Sequence, residues 1–266
     1  MKKRHLVGAV LAVVGALLGI IGHFILFEKW YVAGMHAESA EPGCEILLET
    51  IHPLMADLGL LAGALFLVSA YGFLTRRSWA FFLAVVALVP ALLGSWFVNV
   101  PFLAAGLPPV YFPLFWPYLA LYFLFLKVVG GVSWPRTLLG LLAGMAYIFC
   151  WMNGVASTSR IITIGTPIFA LVQKLHWVAM VGWGVVTVAV VMRPREWARV
   201  VGLVAGVTEL IVGIPLAIVT GGALGRFSLF ALGPIACLVL VVLLAWPGLW
   251  EKLTAARAEP AAAAEA

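Results

Sequence analysis

A chain of 266 residues that is 64% hydrophobic and 10% charged, with a mean hydropathy of +1.13, lies outside the balance of a soluble globular domain and belongs in lipid. Its net charge of +5 does not make a nucleic-acid surface, because the basic residues are spread over several loops and ends and form no single patch. No Walker-type or dinucleotide glycine loop, HExxH or GxSxG occurs in the sequence, so the signatures of nucleotide, zinc-protease and serine-hydrolase chemistry are missing.

Apolar stretches of about 20 residues mark membrane-spanning helices. Eight are predicted: Leu6–Phe27, Leu54–Leu74, Trp79–Val100, Val110–Val128, Thr137–Met152, Ile168–Met192, Val200–Val219 and Phe227–Trp246. The chain therefore reads as an all-α polytopic membrane helix bundle. The first span follows Lys2, Lys3 and Arg4; it is longer than a secretory h-region and is read as a retained helix. The longest connection is 28–50, and the fifth span, the shortest, can run on toward Ser157. Residues 251–266, ending in AEPAAAAEA, read as a disordered cytoplasmic tail.

Cytoplasmic loops accumulate Lys and Arg. With eight spans, only Lys29, Arg160, Lys174 and Arg226 of the 16 basic residues fall on one side, and the first loop on that side carries Glu28, Glu38, Glu41, Glu45 and Glu49. Both termini are thus expected in the cytoplasm, with the protein in the plasma (inner) membrane.

RRSWAFFLAVVALVPALLG (76–94) and PREWARVVGLVAGVTELIVG (194–213) share an Arg-x-Trp-Ala start, with Arg77 and Arg195 118 residues apart. Keeping that offset pairs the fourth span with the eighth. The expected organisation is two tandem four-helix halves in parallel orientation, 1–128 and 129–250, as in transporters that build a site between repeats. ELIVGIP (209–215) resembles the Glu-Leu-x4-Pro turn of EXPERA-type sterol-binding membrane proteins. The resemblance covers seven residues on a different helix of the four-helix unit, and no residue role is carried over from it.

Ionisable groups in hydrocarbon are expensive and usually face the bundle interior. On the sixth span Gln173, His176, Met180, Trp183 and Thr187 share one helical face, whereas Lys174 points the other way with Leu171, Val178 and Val181 and is read as snorkelling. Glu209, mid-span, lies on a small-residue face with Gly202, Ala205, Gly206 and Gly213, the kind that lets helices approach closely. His23 follows a Gly8, Ala12, Gly15, Gly19 seam on span one, and Asp57, the only aspartate, lies at comparable depth on span two. The candidate ligand-binding or proton-binding residues are therefore His176, Glu209, Asp57, Gln173 and His23, as a polar site between the halves. Glu49-x-x-His52 has a bundle-metal spacing without the second motif such sites need; it reads as a solvated outer face ending at the His52–Pro53 bend. Cys44 and Cys150 both lie toward the outer face and can pair or remain free. Pro90, Pro215 and Pro234 are candidates for helix breaks that free carbonyls.

Three functions fit these residues. The first is a small-solute or proton-coupled transporter or intramembrane ligand-binding protein, taking a small-molecule substrate. The second is a non-catalytic structural or assembly subunit, bound to partner membrane subunits or to copies of itself. The third is a redox anchor holding haem b between His23 and His176, although their depths differ.

Overall fold

The computed structural model describes residues 2–39, 44–164 and 167–255, and among these the chain is helical with no strand. Among the described residues seven helices are long and apolar enough to cross a membrane, and a further apolar helix, Leu229–Ala245, is shorter. The protein is a polytopic membrane helix bundle. In lipid no water satisfies the backbone, so apolar segments of this length close their hydrogen bonds internally as helices.

α1 (Lys2–Leu17) passes through a π-helical turn, Leu18–Gly22, directly into α2 (His23–Glu38). α3 is Cys44–Leu74, α4 Ala80–Phe97, the short α5 Asn99–Ala104, and α6 Phe112–Leu124 with a second π turn at Phe125–Val129. α7 is Trp134–Ile164, α8 Pro167–Met192, α9 Glu196–Leu224, α10 Leu232–Ala245 and α11 Leu249–Thr254.

Several helices outrun their apolar cores. The expected loop 28–50 is helical up to Glu38 and again from Cys44, and α7, expected as the shortest span, has 31 residues. The reason is that a composition window stops at the first charges, whereas the hydrogen-bond ladder continues into the headgroup region. α3 also runs through Pro53. The carbonyl that Pro53 frees, that of Glu49, belongs to an exposed residue. Pro90 and Pro215 likewise sit inside unbroken helices. The tail expected from 251 begins as the last turn of α11, with Trp250 buried against the bundle, and residues 256–266 lie outside the described ones.

Packing follows chain order. α1 and α2 lie on α3, α3 on α4 and α4 on α6, while α7 lies on α8, α8 on α9, and α10 on both α9 and α7. Contact between the two sets runs chiefly from α3 and α4 to α7 and α8. The α1–α3 crossing is made possible by glycine, since a Cβ at Gly19 would lie 2.5 Å from Gly63 Cα and 2.7 Å from the Gly59 carbonyl oxygen. Such small-residue crossings substitute van der Waals contact for the hydrophobic drive that lipid removes. At the arginine-rich end, Arg136 donates to the carbonyls of Val190 and Val191, and Arg199 donates to that of Leu244. Each arginine thereby satisfies carbonyls at a neighbouring helix C-terminus that lack partners within their own helix.

Candidate functional site

The polar centre of the molecule is built by α7, α8 and α9. The inward face of α8 buries His176, Trp183 and Thr187, and α9 brings Glu209 to meet it. His176 Nδ1 lies 2.7 Å from Glu209 Oε2, and both side chains are 0% exposed. α7 contributes a residue that sequence reasoning passed over: Asn153 Nδ2 donates to Glu209 Oε1 at 2.7 Å and to the Phe230 carbonyl at 3.1 Å. A neutral amide carries no ionisation signal in a composition scan. It also lies one residue beyond the end of the predicted fifth span.

Two thiols complete the cluster. Cys150 of α7 lies beside both Cys237 of α10 and the Glu209 carboxylate, and Trp183 Nε1 donates to Cys237 Sγ at 3.2 Å. Both cysteines are free and buried. The Cys44 side chain lies outside the described residues, as does any pairing of it with Cys150.

The walls are cut to fit the carboxylate. A Cβ at Gly213 would stand 2.6 Å from Glu209 Oε1, and one at Gly233 would stand 2.6 Å from Asn153 Nδ2 and 2.9 Å from Oε1. α9 and α10 can therefore close around the acid only because both positions are glycine. Ser228, which caps the 229–231 turn and hydrogen-bonds Thr220 at 2.7 Å, fixes the Phe230 carbonyl over Asn153.

Two atoms in the cluster have no hydrogen-bond partner among the described residues, His176 Nε2 and Asn153 Oδ1. The first has a consequence for protons. With one proton between Nδ1 and Oε2 the pair is anionic and Nε2 is a bare lone pair. A second proton makes the pair neutral and resides on Nε2 whether the shared proton belongs to imidazole or carboxyl. Nε2 is thus the one ring nitrogen of His176 without a partner among the described residues.

The remaining candidates are elsewhere. Gln173 donates to Thr158 Oγ1 and links α8 to α7 toward the end opposite the arginine-rich one, without reaching His176. Asp57 is exposed on α3, and Lys174 is exposed on α8. His23 is fully buried on α2, its ring pressed on Gly59, with rings of Tyr111 and Tyr118 at centroid distances of 5.8 and 6.1 Å. Both His23 nitrogens and the Tyr118 hydroxyl have no partner among the described residues. The expected polar layer of His23, Asp57 and His176 is therefore not one site, and the His176–Glu209 pair sits within α7–α10.

His52 corrects the sequence reading as well. It is 0% exposed instead of lying on a solvated face, its Nε2 is 2.9 Å from the Tyr111 hydroxyl, and rings of Phe27, Tyr31 and Phe102 surround it. The extension of α1 into α2 supplies Phe27 and Tyr31, which cover the histidine. Asn99 anchors the same corner by accepting from the Tyr111 backbone N–H at 2.9 Å.

A haem between His23 and His176 does not fit this arrangement. His23 is wedged against the Gly59 backbone, His176 is bonded through Nδ1 to an acid, and the two rings belong to different helix sets. Among the described residues no group of three or more His, Cys, Asp or Glu is placed to hold a metal ion.

One cavity approaches the polar cluster. It has a volume of about 480 Å³ and lies between the C-terminal part of α4 with α5 and the start of α10, lined by Trp96, Met152, Arg226, Ser228 and Phe230 among others. Met152 and Phe230 are the immediate neighbours of Asn153 in sequence and in hydrogen bonding. No family model, curated protein or solved structure matches the chain, so the functional reading rests on this geometry.

Proposed function

We propose that the protein is a proton-linked membrane transporter for a small, largely apolar anion, with Glu209 and His176 as its proton-binding pair. The supporting observation is the sealed His176–Glu209 pair with its unpartnered Nε2, because intramembrane ionisable pairs of this kind serve proton relays. The cavity beside Asn153 is the solute entrance in this reading. Arg226 supplies its charge, and Trp96, Phe230 and Leu232 supply its apolar walls. Proton gain on Nε2 neutralises the pair and weakens the bond by which Glu209 holds Asn153, whose Nδ2 also binds the Phe230 carbonyl at the cavity wall. The reading includes two four-helix halves, 1–128 and 129–250, the plasma membrane as location, and both termini in the cytoplasm with Arg226 outside. The packing of α1–α6 and of α7–α10 mainly among themselves supports the first element, and the distribution of basic residues supports the orientation.

The test is uptake by purified protein in liposomes holding a pH-sensitive dye, with benzoate as the first probe and short-chain carboxylates as the series. Wild type acidifies the lumen when the anion is supplied outside. Glu209→Gln and His176→Gln abolish coupled acidification, and Arg226→Ala raises the half-saturating concentration about tenfold, the worth of one charge-assisted hydrogen bond. Equal acidification by wild type and Glu209→Gln would sink the proposal.

A second reading has its own observation. Gly213 and Gly233 close on Glu209 tightly enough for the acid to act as glue between helices in a structural subunit. Glu209→Gln separates the two, since it keeps the hydrogen-bonding shape and removes only the titratable proton.

A further inference from the structure

A second cavity, about 910 Å³, shares no lining residue with the polar cluster. It is a groove open along one side, between α3 and α4 on one wall and α8 with the start of α9 on the other. Its interior is aliphatic and aromatic, with Leu65, Phe82, Val86 and Val188 among the lining residues. Its arginine-rich end differs. Trp79 and Trp197, the tryptophans of the two Arg-x-Trp-Ala stretches, both stand in its wall at 40% and 47% exposure, together with Ser78 and Arg193. Arg77 and Arg195, the first residues of those stretches, are exposed beside this end. No acidic residue is among those lining it.

We infer that this groove holds one anionic phospholipid of the leaflet on the arginine-rich side, with its phosphate at Arg193 and the Ser78 hydroxyl and its acyl chains along the aliphatic walls. The chemistry of each part selects the occupant. Basic pockets between membrane helices bind lipid headgroups. Exposed tryptophans mark the headgroup level. A groove of this volume accommodates a ligand-sized apolar body, which a free phosphate lacks. Pro90 also lines the groove and leaves the carbonyl of Val86 without its helical donor, a polar point on the wall within the lipid's length. The shared Arg-x-Trp-Ala starts thereby acquire a role: each delivers one tryptophan to opposite sides of the same groove.

Native mass spectrometry of the purified protein, incubated with phosphatidylglycerol or with phosphatidylcholine of identical chains, tests the inference. Wild type retains phosphatidylglycerol in preference. Arg193→Ala lowers that preference about fivefold, in keeping with the attraction of one basic residue for anionic lipid, and leaves phosphatidylcholine retention unchanged. Val185→Trp, a filling of the groove at an exposed position that leaves the helix core intact, lowers retention of both lipids. Equal retention of the two lipids by wild type overturns the inference. So does a loss of preference in Arg193→Ala without any loss of lipid in Val185→Trp, since that pattern describes surface attraction with an empty groove. Circular dichroism and a monodisperse elution profile confirm that each variant is folded before it is compared.

Discussion

At the scale of single residues, the Glu209 carboxylate decides what the centre of the molecule is worth. Two magnitudes compete for it. Interhelical hydrogen bonds in membranes average only about 0.6 kcal/mol, because the unfolded chain in lipid also finds partners, whereas stripping one partner from a buried ion pair costs about 3–5 kcal/mol. Asn153→Ala removes a neutral donor and leaves His176 on the acid, so its cost is about 1 kcal/mol. His176→Ala leaves the carboxylate without its proton-bearing neighbour, and its cost is about 3 kcal/mol. Glu209→Ala costs a similar amount, yet the double variant His176→Ala with Glu209→Ala costs markedly less than the sum, because the second removal deletes the orphan left by the first. Reversible unfolding in mixed detergent micelles measures all four species. Additive costs would mean that the 2.7 Å contact carries no coupling. The sequence disclosed both partners of this pair, since each is an expensive group at membrane depth. It did not show that Asn153, Cys150 and Cys237 join the pair, since their side chains are cheap enough in lipid to pass as background.

At the scale of elements, the fit of α2 onto α3 depends on one missing methyl group. A Cβ at Gly59 would fall 2.2 Å from His23 Cγ, below any real contact, and the His23 ring has the Tyr111 and Tyr118 rings on its other sides. Gly59→Ala must therefore push the helices apart. Overpacking of this kind costs about 1–3 kcal/mol, and thermal unfolding of the purified variant will show the loss. His23→Ala in the same chain restores most of it, since it removes the ring that the new methyl meets; a double variant as unstable as Gly59→Ala alone would place the strain elsewhere. Helix identity was legible from apolar runs because lipid permits no other backbone state. Helix length was not. Glu28, Glu38 and Glu49 end the apolar windows, but in the headgroup region a charged side chain reaches water while its backbone remains helical. That is why Phe27 and Tyr31 reach His52, and why His52, read as solvated from its acidic neighbours, is enclosed.

At the scale of the whole molecule, periodicity along one helix names the residues that share a face and is silent about which helix that face meets. His176 and Glu209 were each identifiable as inward-facing. Their meeting within α7–α10, with Asp57 left on an outer surface of α3, follows from packing angles that no single helix encodes. The direction of the bundle in the membrane is a property of this scale too, and it governs the proposed transport because Arg226 must face the outside. The basic side is held by Arg136 and Arg199 on neighbouring helix ends and by exposed Arg76, Arg77, Arg193 and Arg195. Translocating that many fixed charges is unfavourable, so the proposed orientation keeps the arginine-rich side in the cytoplasm. Two single-cysteine variants read this out in a chain whose Cys44, Cys150 and Cys237 are replaced by alanine. Gly222→Cys lies at the opposite end, with no atom within 4 Å of its Cβ, and Ala255→Cys follows α11 at an exposed position. In intact cells a membrane-impermeant maleimide labels Gly222→Cys and spares Ala255→Cys until the membrane is opened. The reverse pattern would invert the bundle, turn the Arg226 cavity toward the cytoplasm, and change the proposed uptake into export.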